Sequence, residues 1–142
     1  MTEKVARIAA VAARFQGSEL DPRYLGYFDC FNRRLYYEAH EVLEPLWLQQ
    51  RGGPKGAFYK GLIQLAGAFV HLRKNRLRPA SALFKLAQAN FGQYSGTCEL
   101  LDVEAARLMS HEWSSKLEAA AFTINPLDAG PSPELHLLEV GS

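Results

Sequence analysis

Strand-forming residues are scarce in this 142-residue chain, which holds only three isoleucines and three threonines while alanine and leucine abound. Period-two alternation is nearly absent, which excludes a sheet-based fold and leaves an all-α one. Cysteine is scarce as well. Cys30 and Cys98 form no closely spaced pair, so a disulfide scaffold is excluded and two free thiols in a reducing compartment are expected. Charge of one sign is also missing. A formal net charge of +1 gives no field to gather nucleic acid or an acidic membrane, and neither is expected as a partner. The most apolar run, GLIQLAGAFVHL, is twelve residues long and contains Gln64 and His71. A membrane span needs about 20 apolar residues, so this run reads as a buried central helix. Nothing at the N-terminus reads as a secretory signal, and a cytoplasmic protein is expected. No glycine-rich phosphate loop, nucleophile elbow or dinucleotide fingerprint occurs, so no reaction is specified.

What is present is the composition of one ordinary globular domain, 48% hydrophobic and 22% charged. Caps and breakers divide it into a single-domain array of five to six helices around that central apolar helix. Thr2 caps a first helix and Gly17 is placed to end it. Asp21 and Pro22 open a second, which carries Tyr24, Tyr27, Phe28 and Phe31 at helical spacing. A third runs from about Leu35 until Gly52, Gly53 and Pro54 stop it. The fourth, from about Lys55 to Lys74, is the central one. Pro79 opens a fifth, and Asp102 caps a sixth that runs to about Ala121. The helical domain thus spans residues 1–124. Residues 125–142 hold three of the seven prolines and form an extended or disordered arm, whose LHLLEV stretch is apolar enough to dock on its own domain or on a partner.

The densest chemistry lies in YYEAHEVLEPLW, which sets Glu38, His40, Glu41 and Glu44 within seven residues. At about 100° per residue, His40, Glu44 and Trp47 share one stripe at the margin of the buried face, while Glu38 and Glu41 point towards solvent. Pro45 sits inside this helix, removes one of its hydrogen bonds and tends to kink it. On the central helix Gln64 and His71 share a stripe flanked by Ala57, Gly61, Gly67 and Ala68. Interior helix glycines cost about 0.5–1 kcal/mol each, so Gly61 and Gly67 imply a close approach by another helix or a ligand. A buried Gln or His needs hydrogen-bond partners, and the economical ones are His40 and Glu44 on the preceding antiparallel helix. One internal polar cluster follows: His40, Glu44, Trp47, Gln64 and His71.

Known metal spacings fit this cluster poorly. HEVLE is not H-E-x-x-H, and the Glu-x-x-His of di-iron bundles is absent. His40, Glu44 and His71 remain open as a two-His-one-carboxylate set for a divalent metal ion. Acid–base work by His40, with Glu44 orienting its ring, is equally allowed. So is a purely structural network that fixes helix register. A second set, His111, Glu112 and Trp113, reads more simply, with Trp113 in the core and His111 facing solvent. The basic run RKNRLR, Arg73 to Arg78, can hold a phosphate. More often such a run complements the dipole at a helix C-terminus.

The stretches FNRRLYYEAHEVLEPLW and FYKGLIQLAGAFVHLRKN resemble the domain-of-unknown-function family numbered 309, whose pattern H-x-x-x-E-x-x-W…H falls here on His40, Glu44, Trp47 and His71. The resemblance covers about residues 28–94. It implies a small all-helical array in a soluble bacterial or archaeal protein, and it implies no activity. Pro79 departs from the small residue often found at that helix start. The four motif positions coincide with those that helical geometry gathers, which turns the balance towards a functional pocket. Two expectations follow. In the first, the cluster binds a small ligand or metal ion, with His40 and His71 as ligands or proton carriers, Trp47 as a wall and Gln64 orienting the bound group. In the second, the chain is a helical interaction module whose surface is the aromatic set Tyr24, Tyr27, Phe28 and Phe31 or the C-terminal arm. The ligand, the protein partner and a homo-oligomer are left open.

Overall fold

A computed structural model describes residues 2–14 and 19–139. Gly17, expected to end the first helix, lies outside the described residues. Among those described, six α-helices follow one another: α1 (Glu3–Ala13), α2 (Pro22–Asn32), α3 (Tyr36–Gln50), α4 (Gly56–Arg73), α5 (Leu77–Phe91) and α6 (Val103–Ala119). The caps are those that the sequence marks. Thr2, Asp21 and Asp102 each accept a hydrogen bond from a first-turn backbone N–H, from Val5, Arg23 and Ala105 respectively. α3 continues through Pro45. The fifth helix starts two residues before Pro79, because proline is tolerated anywhere in a first turn, where the N–H groups have no helical partner.

α4 is the centre, as its all-round apolar character requires. Phe69 shows this directly: its ring meets Phe31 of α2, Tyr36 of α3, Phe84 of α5 and Trp113 of α6, with centroids 4.9–5.5 Å apart. The two glycines of α4 allow α5 to close in. A Cβ on Gly61 would lie 2.8 Å from the Phe91 ring, and one on Gly67 would lie 3.2 Å from Leu83. The close approach expected at these positions is therefore made by a helix.

The aromatic set of α2 is not a surface. Tyr24, Tyr27 and Phe31 are fully buried and Phe28 nearly so. Aromatic residues at helical spacing form a core stripe where neighbouring helices cover them, and here α3 and α4 do, with Tyr36 and Phe69 against Phe31 and Phe58 against Tyr24. This removes the first of the two surfaces expected of an interaction module.

The C-terminal arm docks on its own domain. A short 3₁₀ turn, Pro126–Asp128, precedes an extended run. The Asn32 side chain brackets the backbone of Leu135, donating to its carbonyl and accepting from its N–H at 2.8 Å each. The Leu135 side chain is buried. A hairpin that the composition does not announce joins α5 to α6, with β1 (Thr97–Cys98) antiparallel to β2 (Leu101–Asp102). Among the described residues no helix is long and apolar enough to cross a membrane.

Candidate functional site

A cleft of about 290 Å³ opens where α3, α4 and α5 meet. α3 contributes Tyr37 and His40. α4 contributes the stripe Lys60, Gln64, Gly67 and His71 with Ile63 and Val70 beside it, and Leu83 of α5 closes the far wall. The stripe follows helical periodicity, since positions 60, 64, 67 and 71 recur at alternating spacings of four and three. Three of the five expected residues, His40, Gln64 and His71, thus share one cavity.

The other two stand beside it. One oxygen of Glu44 accepts a 2.8 Å hydrogen bond from Lys4 of α1, and the other lies 3.7 Å from His40 Nε2. The Lys4 hydrogen bond is the main reason that the Glu44 carboxyl is held below its ordinary pKa. Trp47 touches the site through Lys60, whose ammonium lies 4.2 Å from the indole centroid. Gln64 finds its partner on α5 rather than α3: Asn90 Nδ2 donates to its Oε1 at 2.7 Å. The expected pairing of Gln64 with His40 and Glu44 is replaced because α5 packs on the same face of α4.

Glu41 corrects the division of the acidic cluster. It does not point to solvent: it is 2% exposed and clasped by Arg7 of α1, with contacts of 2.7 and 3.1 Å. α1 covers the face of α3 that a two-helix picture leaves open. Tyr36, which shares the helical stripe of His40, turns into the core and stacks on Phe69.

The two imidazoles are chemically alike. Each has a buried Nδ1 with no hydrogen-bond partner. Burial, the largest influence, pushes the pKa of each below its ordinary value. Glu44 opposes this at His40, whereas Arg76 and Lys74 add to it at His71. Both rings are therefore neutral near pH 7, each able to donate from one nitrogen and accept at the other. Tyr37 stacks on His40 with centroids 6.2 Å apart. Lys60 is the one formally charged side chain on the cleft wall. Among the described residues no group of three His, Cys, Asp or Glu is arranged to hold a metal ion.

Lys60, Tyr37, Asn90 and Lys4 are the residues that sequence reasoning passes over. Lys60 was within reach, since it lies one turn before Gln64 on the same stripe. Tyr37 sits three residues before His40. Asn90 and Lys4 carry no such signal, because their roles depend on where α5 and α1 pack.

The fold defines a class, a small all-helical array with a cleft against its central helix. Residues 24–83 match the model of the family described as Domain of unknown function (DUF309), and that stretch is similar to it. The matched span contains every residue that lines the cleft, from Tyr37 to Leu83. No curated protein and no solved structure compared with the chain matches it.

Proposed function

We propose that the cleft among α3, α4 and α5 binds a small organic acid, with its anionic group on Lys60 and its apolar body against Ile63, Val70 and Leu83. The observation that carries this reading is the convergence of two imidazoles, the Gln64 amide and a single ammonium on a cleft whose other walls are Tyr37 and apolar side chains. A few convergent polar groups in a mostly apolar cleft are the usual mark of a small-ligand site. A volume of about 290 Å³ falls just under the roughly 300 to 1,000 Å³ of drug-sized ligand sites, which limits the occupant to a small molecule. His40 accepts a proton or hydrogen bond from the ligand, and Glu44 steadies the imidazolium if a proton arrives.

A divalent metal ion is the other occupant that neutral imidazoles suit. The third ligand would be Glu44, whose carboxylate Lys4 already engages, so the organic acid is favoured. Saturation-transfer NMR of the full chain with a panel of short aliphatic and aromatic carboxylic acids tests the proposal. Binding should be lost in Lys60→Met and weakened in His40→Ala. Failure of every acid to bind would sink it. Stoichiometric metal in the purified protein, absent from a His40→Ala, His71→Ala double variant, would replace it with the metal reading.

A further inference from the structure

A second, separate cleft of about 380 Å³ lies where the ends of α2 and α4 meet the C-terminal arm. Its wall carries Arg34, Tyr36, Arg73, Asn75, Asn125 and Ser132, with Asp128 the one acidic side chain among them. Arg34 and Asn75 each follow a helix end in the left-handed region, with φ of 63° and 55°. Asparagine tolerates that conformation and arginine does not favour it. Arg73 and Asn75 belong to the basic run RKNRLR.

The ordinary explanation of Arg34 and Arg73 is that each complements the dipole of the helix it ends. Three observations go beyond it. Neither guanidinium has a carboxylate partner among the described residues. Arg73 instead lies over the Tyr36 ring, 5.3 Å from its centroid. The Tyr36 side chain is 2% exposed, and its hydroxyl is buried with no hydrogen-bond partner. Ser132 is close enough to act on that hydroxyl as a weak hydrogen-bond partner, short of regular hydrogen-bond geometry. A buried donor without a well-formed hydrogen bond is rare in a folded protein, and here it sits beside two guanidinium groups without carboxylate partners on the wall of a polar cleft.

We propose that this cleft binds a phosphate group, free or carried by a small organic molecule, held by Arg34 and Arg73 with Tyr36, Asn75 and Ser132 supplying neutral donors. Guanidinium forks match the oxygens of a phosphate in pairs, and a hydroxyl completes such a site with a further donor. Asn125 positions the wall, since its Nδ2 is committed to the carbonyl of Leu72 at 2.6 Å. Asp128 opposes binding and sets a limit on affinity.

Thermal melting and amide NMR of the full chain test this with inorganic phosphate, glycerol 3-phosphate and acetate, each at an ionic strength matched with sodium chloride. Phosphate should raise the melting temperature saturably and shift the amide signals of Tyr36, Asn125 and Ser132. Arg34→Gln and Arg73→Gln, both at exposed positions that should fold normally, should each weaken binding by about tenfold or more. Tyr36→Phe keeps the stacking on Phe69 and removes the orphan hydroxyl. It should leave the unliganded melting temperature unchanged or higher while reducing the phosphate response. Asp128→Asn should tighten binding. Tighter binding of glycerol 3-phosphate than of phosphate assigns the site to an ester, and the reverse assigns it to the free ion. No saturable shift in the natural chain, an equal response to acetate, or a phosphate response that survives both arginine substitutions would overturn the proposal.

Discussion

Arg7 on α1 holds Glu41 on α3 by both carboxylate oxygens, Nε to Oε1 at 3.1 Å and Nη2 to Oε2 at 2.7 Å. Among the described residues Glu41 is the one buried side chain that bears a formal charge. α1 has no buried residue of its own. It rests on the bundle through half-buried Ile8 and Val11 and through charges, Lys4 on Glu44 and Arg7 on Glu41.

This asymmetry of burial makes the two ion pairs unequal. Left without a partner, a carboxylate as buried as Glu41 costs more than the roughly 1–3 kcal/mol of a neutral polar group. Arg7→Ala should therefore lower the urea midpoint well below that of the natural chain. Lys4→Ala opens a pair between side chains 45% and 29% exposed, where solvent replaces the lost contact, and its midpoint should move much less. Equal midpoints for the two variants would contradict a buried Glu41.

The helices were legible because their signals are local. Caps at Thr2, Asp21 and Asp102, breakers at 52–54 and the apolar surface of α4 each act within a few residues. The face of a residue was legible only where one neighbour decides it. His40, Gln64 and His71 reach one cleft because α3 and α4 are antiparallel neighbours across a short turn. Glu41 was misplaced because α1 comes from 34 positions away to cover it. The aromatic set of α2 was misplaced for the same reason, as α3 and α4 bury it. The hairpin after α5 escaped notice because its connection is Glu99-Leu100, with φ of 46° and 65°, where Asn-Gly would have marked it.

Gly61 and Gly67 should respond differently to alanine. At Gly61 the new methyl meets the fully buried Phe91 ring at 2.8 Å, so the ring itself must shift. Overpacking of this kind costs about 1–3 kcal/mol, more than the roughly 1 kcal/mol gained in helix propensity. At Gly67 the contact is a terminal methyl of half-buried Leu83 at 3.2 Å, which can rotate away. Urea unfolding should show Gly61→Ala clearly destabilised and Gly67→Ala within about 1 kcal/mol of the natural chain. Gly67 also lines the first cleft, so Gly67→Ala should narrow the range of acids accepted there.

The strained hairpin offers a stabilising change. Two-residue connections of this hand favour glycine, and left-handed backbone costs other residues about 1–2 kcal/mol. Leu100 makes its fixed contact through its carbonyl, which accepts from Leu138 N–H at 2.7 Å. Leu100→Gly keeps that contact and should raise the melting temperature. Glu99→Gly relieves similar strain but removes the carboxylate that holds Lys55 and Tyr59 at 2.8 Å, and should lower it. A Leu100→Gly variant that melts earlier would show that the side chain matters more than the backbone.

Acid should weaken the fold in two separate windows. Burial holds His40 and His71 below their ordinary value of 6.5. On unfolding both return to it, so the unfolded chain binds more protons between their folded values and about 6.5. Their contribution is fully present above that pH and is lost as the pH falls through the folded values. Each tenfold difference in proton affinity between the folded and unfolded ring is worth at most about 1.4 kcal/mol, less where solvent reaches the ring. Glu44, held below its ordinary 4.5 chiefly by the Lys4 hydrogen bond, acts in the same direction at lower pH, where protonation releases Lys4. Urea midpoints should therefore begin to fall as the pH drops below about 6.5, and fall further below pH 4.5. A His40→Gln, His71→Gln double variant should flatten the first decline and keep the second. Imidazole proton NMR should place both folded midpoints below 6.5, and a midpoint above that value for either ring would remove it from the first window.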